Sequence, residues 1–383
     1  MIRAHQAYAE LGTTIFEVMS RLAEANNAVN LGQGFPDETG PREILQKAAD
    51  YLLTGSNQYP PMAGVAALRK AIAAHEERHW RLPRKWDEEV VVTSGATEAL
   101  AAAILGFVSP GDEVIIFEPS YDAYVPLIQR AGGEAVPVRL EAPDWELNEK
   151  ALRQALSART RAIILNDPLN PAAKVFGLSE LKIIADVCKE ANLLAIVDAV
   201  YEHLTYDNRA HIPLSSLPEM NERTLKIGSA GKIFCVTGWK VGWITGPAPL
   251  MKIISKAHQF LTFTTPPNLQ VAVAYGLDEW DPWLSGLKKT MAEKRDHLST
   301  GLRAAGMKVL PAQGTYFINV SIADTKWAGR DADYCRHITE TNRVAAIPLS
   351  AFYMRDPEAS IIRFCFAKKY EVLDEAIRRL KTS

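Results

Sequence analysis

A lysine set among small residues is where this chain first offers chemistry. Residues 227–243 read IGSAGKIFCVTGWKVGW, and Lys232 closes Ser229-Ala230-Gly231-Lys232 after a β-like run over 223–228. Small neighbours let backbone and a ligand approach closely. A lysine that is partly desolvated beside other cations deprotonates more easily, as a Schiff-base nucleophile must. Ser229 and Lys240 suit a phosphate, one through its hydroxyl and the other through its charge. A solvated loop lysine is the plain alternative for any Gly-Lys pair. A nucleotide P-loop is excluded, because its pattern needs a glycine and a Ser or Thr where Lys226 and Ile233 stand.

Other residues invite a ligand less directly. Asp198 ends the apolar run LLAIVD, and a buried carboxylate needs a partner. A protonated ring nitrogen would serve; so would the loop that follows, if the aspartate caps it. Arg363 stands in the apolar run IIRFCF, where its fork matches a carboxylate in a bidentate way. That carboxylate belongs either to a ligand or to an acid of this chain. Ser94-Gly95-Ala96-Thr97 follows a strand and opens a helix, so its N–H groups and the Thr97 hydroxyl can hold an anion. An ordinary capped turn reads the same way. Gly32 and Gly34 in LGQGFPD place backbone close to a ligand or a neighbouring chain.

These residues need a frame. Apolar runs alternate with helical stretches from Glu88 onward: strands are expected over 89–95, 113–119, 134–139, 161–166, 193–198, 224–228 and 241–245. Continuous apolar strands between helices mean a mostly parallel sheet covered on both faces, an α/β class. Earlier helices are expected over 44–53 and 65–79, and another over 179–192 with Ser179 as its N-cap. From Trp283 the order is helix (288–305), strand (316–320), helix (331–342), strand (361–366) and helix (370–381), an α+β unit. Ligands in open parallel sheets collect at the C-terminal strand ends.

Bulk properties narrow the class. The 383 residues carry a net charge of −2, which gives no reason to expect nucleic acid. Cys188, Cys235, Cys335 and Cys365 are scattered with no CxxC, which fits a reducing compartment, and Cys235 reads as a small buried apolar residue. No metal centre is expected from these cysteines or from the eight histidines. The N-terminal stretch MIRAHQAYAE lacks a signal-peptide core, and no apolar run nears the ~20 residues of a membrane span, so a cytoplasmic location is expected.

The spacing Ser229-x-x-Lys232, then Thr237-Gly238-Trp239-Lys240-x-Gly242, resembles the pyridoxal-phosphate lysine segment of class I/II (fold type I) aminotransferases. GSAGK…TGWKVGW and RFCFAK are similar to kynurenine and glutamine transaminases, whereas NQYPPMAGV and AAIPLSAFY are similar to bacterial methionine and aromatic transaminases. The likeness spans nearly the whole chain. It implies an aspartate-aminotransferase-like fold with a mixed, mostly parallel seven-stranded sheet in a large domain (41–282), and a smaller α+β domain formed by 283–383 with the N-terminal arm (1–40).

The same resemblance assigns roles. Lys232 would hold pyridoxal 5'-phosphate as a Schiff base and then move the substrate's proton as base and acid. Asp198 would sit under the pyridine nitrogen, Tyr201 and Asn170 beside the ring oxygen, and Tyr121 against the ring face. Gly95, Ala96, Thr97, Ser229 and Lys240 would surround the phosphate, with Tyr59 lent by a second subunit of a homodimer. Arg363, with Gly34 and Asn170, would take the substrate α-carboxylate. Two departures stand out: Ala172-Ala173 follows Asn170-Pro171 where x-Gly is usual, and Ala199 follows Asp198 where glutamate is common. The expected reaction carries the amino group of an uncharged amino acid (methionine, an aromatic amino acid, kynurenine or glutamine) to a 2-oxo acid. Its rivals are β-elimination from cysteine conjugates, transamination of an N-acyl-diaminopimelate, and a non-catalytic regulator, for whose winged helix residues 1–40 leave no room.

Overall fold

The computed structural model describes residues 5–9, 11–279 and 281–381. The N-terminal decapeptide weighed as a signal sequence therefore lies partly outside the described residues, as do 382–383 of the last segment. The larger sheet holds, in chain order, β1 (Val90–Ser94), β2 (Glu113–Glu118), β3 (Glu134–Glu141), β4 (Glu146–Leu147), β5 (Thr160–Asn166), β6 (Leu194–Asp198), β7 (Thr224–Ser229) and β8 (Val241–Thr245). Its spatial order is β1-β8-β7-β6-β5-β2-β3-β4. Strands β2, β3, β5, β6 and β7 run parallel, and β8 runs antiparallel to both β7 and β1. The eighth strand is the two-residue β4, an antiparallel hairpin on the β3 edge that the sequence does not announce.

Apolar side chains point to both faces, which is why the strands read as unbroken hydrophobic runs. Val114, Ile116, Ala162, Ile164, Ile196 and Leu225 meet the helix Gly95–Phe107 on one side. Ile115, Phe117, Ile163, Leu165, Ala195 and Val197 meet the helix Leu178–Glu190 on the other. Each fully buried Ile or Leu adds about 1.5–3 kcal/mol. That second helix begins at Leu178, its cap two residues earlier than expected. Gly177 is its N-cap and its N–H donates to Glu180 Oε2 (3.0 Å), so Ser179 is inside the helix and caps nothing.

A second, antiparallel sheet follows in the chain. It comprises β9 (Lys308–Val309), β10 (Phe317–Ser321), β11 (Ile347–Pro348) and β12 (Ile361–Cys365), in the order β9-β10-β12-β11. Val29–Asn30 pairs in parallel with Val344–Ala345, tying the start of the chain to this part. The arrangement sets β12 and the 31–35 turn over the C-terminal edge of the larger sheet. Leu31 O accepts from Cys365 N (2.7 Å), and Tyr316 Oη donates to Gly34 O (2.6 Å).

Candidate active site

At the C-terminal edge of the parallel strands lies a cavity of about 290 Å³. Ser94 ends β1, Asp198 ends β6 and Ser229 ends β7, while antiparallel β8 begins from the same edge just after Lys240. The strands' shared direction therefore delivers residues far apart in sequence to one opening. Gly34, Gly95, Ala96, Thr97, Tyr121, Asn170, Asp198, Tyr201, Ser229, Lys232, Lys240 and Arg363 all line it. Tyr59 does not. It is 83% exposed on its own chain and stacks edge-on against Phe263 at 5.6 Å.

Two close backbone approaches form one end of the cavity. Gly95 takes φ +73°, and a Cβ there would lie 3.2 Å from Lys240 Nζ. A Cβ on Gly242 would strike the Gly95 carbonyl carbon at 2.6 Å and Ala96 N at 2.7 Å. The glycines let β8 pass directly behind the first turn of the helix Gly95–Phe107, which gathers the helix N-terminus, Thr97, Ser229 and the Lys240 ammonium around one spot. Such a place suits a phosphate dianion.

In the middle stands Asp198, 5% exposed. Tyr124 Oη donates to its Oδ2 at 2.8 Å, while Oδ1 is buried with no hydrogen-bond partner among the described residues. Burial raises the carboxyl's pKa, against the hydrogen bond from Tyr124, the Val200 N–H and the nearby Lys232 charge. An unpaired buried acceptor costs about 1–3 kcal/mol, so Oδ1 is placed to receive a donor from a ligand. Tyr124 escaped the sequence reading. Its one signal was the Tyr121-x-x-Tyr124 spacing, which sets the two rings 5.7 Å apart in a T-shape.

Lys232 follows Ser229 in the short helix Ala230–Ile233, which places its amine in the cavity. The amine donates to Tyr316 Oη at 2.8 Å. Burial pushes its pKa down to about 8; Cys365 and Asp198 pull it upward, and Arg363 and Lys240 add to the fall. Tyr316 also escaped the sequence reading, since it stands just before a strand of the other sheet with no motif around it.

Arg363, in β12, is 1% exposed, and burial lowers its pKa to about 10. Its Nη1 donates to Asn170 Oδ1 (2.8 Å) and its Nη2 to Gly32 O (3.2 Å). The guanidinium carbon lies 4.0 Å from the centre of the Phe317 ring, 5.1 Å from Phe352 and 5.3 Å from Phe16. Among the described residues, none of its hydrogen bonds is to a carboxylate. Of the two readings left open by the sequence, a ligand carboxylate suits this geometry. Phe16 comes from the helix Ile15–Ala25, and the sequence held no sign that this helix would reach the cavity.

The turn after Asn170 places an alanine in left-handed backbone. Ala173 takes the left-handed φ of 59°, with its N–H on Leu169 O (2.8 Å). Asn166 Nδ2 donates to Asp198 O (2.8 Å) and Asn166 Oδ1 accepts from Asn170 N (2.7 Å), so the two asparagines hold this turn against the Asp198 strand. A lowered lysine, an open carboxylate oxygen and an anion cup in one cavity fit a phosphorylated aldehyde with a basic ring nitrogen.

Residues 26–380 match the family model for aminotransferase class I and II. A probable N-succinyldiaminopimelate aminotransferase DapC of Mycobacterium tuberculosis is 46% identical over 384 residues, covering 96% of this chain and 95% of that protein. Methionine aminotransferase of Escherichia coli is 40% identical over 372 residues, covering 97% and 96%. The solved structure of N-succinyldiaminopimelate aminotransferase from Mycobacterium tuberculosis superposes with a TM-score of 0.96 at 44% identity, over 99% of this chain and 100% of that one.

Proposed function

This chain belongs to the class I and II aminotransferases, enzymes that depend on pyridoxal 5'-phosphate, and on that premise we propose that its donor is an uncharged, fairly large amino acid: methionine, an aromatic amino acid, kynurenine or glutamine. The observation that carries this is the set of cations in the cavity. Among the described residues, Lys232, Lys240 and Arg363 are the Lys and Arg side chains lining it, and the remaining walls include Phe16, Tyr121, Val200 and Phe317. With Lys240 given to the phosphate and Arg363 to the α-carboxylate, no cation is left for a second carboxylate. Apolar walls then favour an apolar or uncharged side chain.

Within this reading the groups divide the work, and Asn170 serves both cofactor and substrate. The cofactor, when bound, supplies an electron sink for negative charge at the substrate Cα. Asp198 Oδ1 holds a proton on the ring nitrogen, and Tyr124 keeps that carboxylate oriented. Gly95, Ala96, Thr97, Ser229 and Lys240 hold the phosphate, and Tyr121 covers the ring. Tyr201 and Asn170 flank the ring oxygen. Arg363, with Asn170 and the Gly34 turn, orients the substrate by its carboxylate, while Lys232 Nζ takes the Cα proton and returns it.

The proposal includes a homodimer with shared active sites. Tyr59 (83% exposed), Phe260 (85%) and Leu53 (85%) are large apolar side chains facing solvent on a single chain, and a second copy would cover such a surface. It also keeps 41–282 as one domain and 283–383 with 1–40 as the other, supported by the Val29–Val344 pairing. A cytoplasmic setting suits four free, buried cysteines. No helix among the described residues is long and apolar enough to cross a membrane.

The relative named for N-succinyldiaminopimelate favours a second reading, in which the donor carries an acylated distal amine. A donor panel separates the two. We expect kcat/KM for methionine, phenylalanine, kynurenine or glutamine to exceed that for aspartate by about tenfold or more, as a missing second cation requires. Aspartate outrunning them all overturns the proposal; N-succinyldiaminopimelate outrunning them selects the second reading.

A further inference from the structure

Behind the catalytic sheet lies a cluster that the transamination chemistry does not use. The expectation of no metal ligands has an exception in His75-Glu76-Glu77-Arg78-His79, which carries the H-E-x-x-H spacing on the helix Ala66–Trp80. That spacing sets two imidazoles on one helix face, where zinc sites often draw their ligands. The two rings are 4.8 Å apart here. The loop after Asp198 brings Glu202 and His203 to the same face. His203 Nε2 lies 2.8 Å from His75 Nε2 and 3.8 Å from Glu202 Oε1. One ligand atom from each of His75, Glu202 and His203 falls within 4.8 Å of the others, and all three residues are buried.

We propose that His75, His203 and Glu202 bind one divalent transition-metal ion, zinc by the nature of its donors, as a structural site joining the helix Ala66–Trp80 to the loop that carries Tyr201. Glu202 is divided between two tasks. Its Oε2 is 2.5 Å from Lys226 Nζ, while Oε1 is buried with no hydrogen-bond partner among the described residues and faces the imidazole pair. Lys226 thus fixes the carboxylate as an outer-sphere partner does.

Charge favours a cation. Glu76 and Glu202 are each at most 2% exposed, and Lys226 bridges them at 2.7 and 2.5 Å. Two carboxylates against one ammonium leave a negative charge in excess, which a bound cation offsets. Half-buried His79 and Trp80 form the outer wall and the side of entry. A peptidase reading of the motif fails, because Glu76 is committed to Lys226 and the cluster is buried.

The test uses the full chain with its cofactor, produced in zinc-supplemented medium, washed with chelator and desalted. About one zinc per chain should remain by mass spectrometry, and removing it under denaturant and refolding without zinc should lower Tm by several degrees. H75Q and H203Q should each keep less than about a tenth of that zinc, while H297N, at an exposed histidine paired with Asp374, keeps it all. Wild-type protein without zinc, or zinc at the wild-type level in both variants, overturns the proposal. Should neither variant fold, zinc-edge absorption of the wild type decides: nitrogen and oxygen scatterers at about 2.0–2.1 Å with imidazole shells support it, and sulfur at about 2.3 Å, pointing to cysteines, overturns it. None of these readouts depends on which amino acid the enzyme accepts.

Discussion

Tyr124 Oη holds Asp198 Oδ2 at 2.8 Å and so turns the opposite oxygen of that carboxylate toward the cavity. Asp198 ends β6 and Tyr124 opens the helix Tyr124–Arg130, and the tyrosine acts on the ligand only through the aspartate. Asp198→Asn removes the charge that keeps a ring proton in place, and kcat should fall on the order of 10³-fold with the cofactor still bound. Tyr124→Phe leaves the carboxylate but removes one donor, worth about 1–2 kcal/mol, so kcat should fall about tenfold. Steady-state rates with absorbance-checked cofactor content measure both. Equal losses in the two variants would show that Tyr124 does more than orient.

A second prediction concerns pH. With cofactor stripped, the Lys232 amine titrates near 8, below the ordinary lysine value of 10.5, chiefly because of burial. The unfolded chain therefore binds more protons than the folded one between about 8 and 10.5, and this group's contribution to stability rises with pH across that window. The neutral amine is the nucleophile, so the rate of cofactor uptake should climb as pH passes about 8 and then level. Tyr316 Oη accepts from this amine at 2.8 Å, which favours the ammonium. Tyr316→Phe should shift the inflection to lower pH, and stopped-flow reconstitution across a pH series reads it directly.

Arg363 yields a third. Its fork is held by Asn170 and Gly32 between aromatic rings, so its plane is set before substrate arrives. Lysine keeps the charge and loses the two-pronged match. Arg363→Lys should raise donor KM about 10- to 100-fold, as expected for a lost bidentate contact, and leave the cofactor spectrum of the resting enzyme unchanged. Unaltered KM would remove the arginine from the carboxylate subsite.

These residues were not equally legible in the sequence. Lys232, Asp198 and Arg363 announce themselves because each is a charge inside an apolar or glycine-rich run, a conflict that needs a local explanation. Strand order was half legible. Continuous apolar runs called for a parallel sheet, but nothing local marked β8 as the antiparallel strand whose start brings Lys240 against Gly95. Tyr124, Tyr316 and Phe16 were invisible for a different reason. They are aromatic residues in ordinary surroundings, and their roles arise only from contacts across 74 positions for Tyr124 with Asp198 and 84 for Tyr316 with Lys232. The His75–His79 spacing was present in the sequence, whereas the two residues that join His75 in the cluster, Glu202 and His203, came to it only through the fold.

Ala173 offers a last test, on the one departure from family wording that changes backbone chemistry. It sits at φ 59° and is 0% exposed, with its carbonyl accepting from Gln313 N (2.8 Å) and Gly314 N (3.0 Å). Left-handed backbone costs an alanine about 1–2 kcal/mol. Against this, alanine restricts the unfolded chain by about 0.4–1 kcal/mol relative to glycine. Its buried methyl contributes about 0.8 kcal/mol more. The terms nearly cancel, which is how alanine holds a position where glycine is usual. Ala173→Gly should therefore change unfolding free energy by less than about 1 kcal/mol. Ala173→Val meets both the left-handed restriction on a branched side chain and a filled surrounding, and should cost about 3 kcal/mol. Denaturant titration of the two variants checks the balance. A large gain from glycine would mean that the methyl contributes nothing, and that the turn beside Asn170 is held under strain.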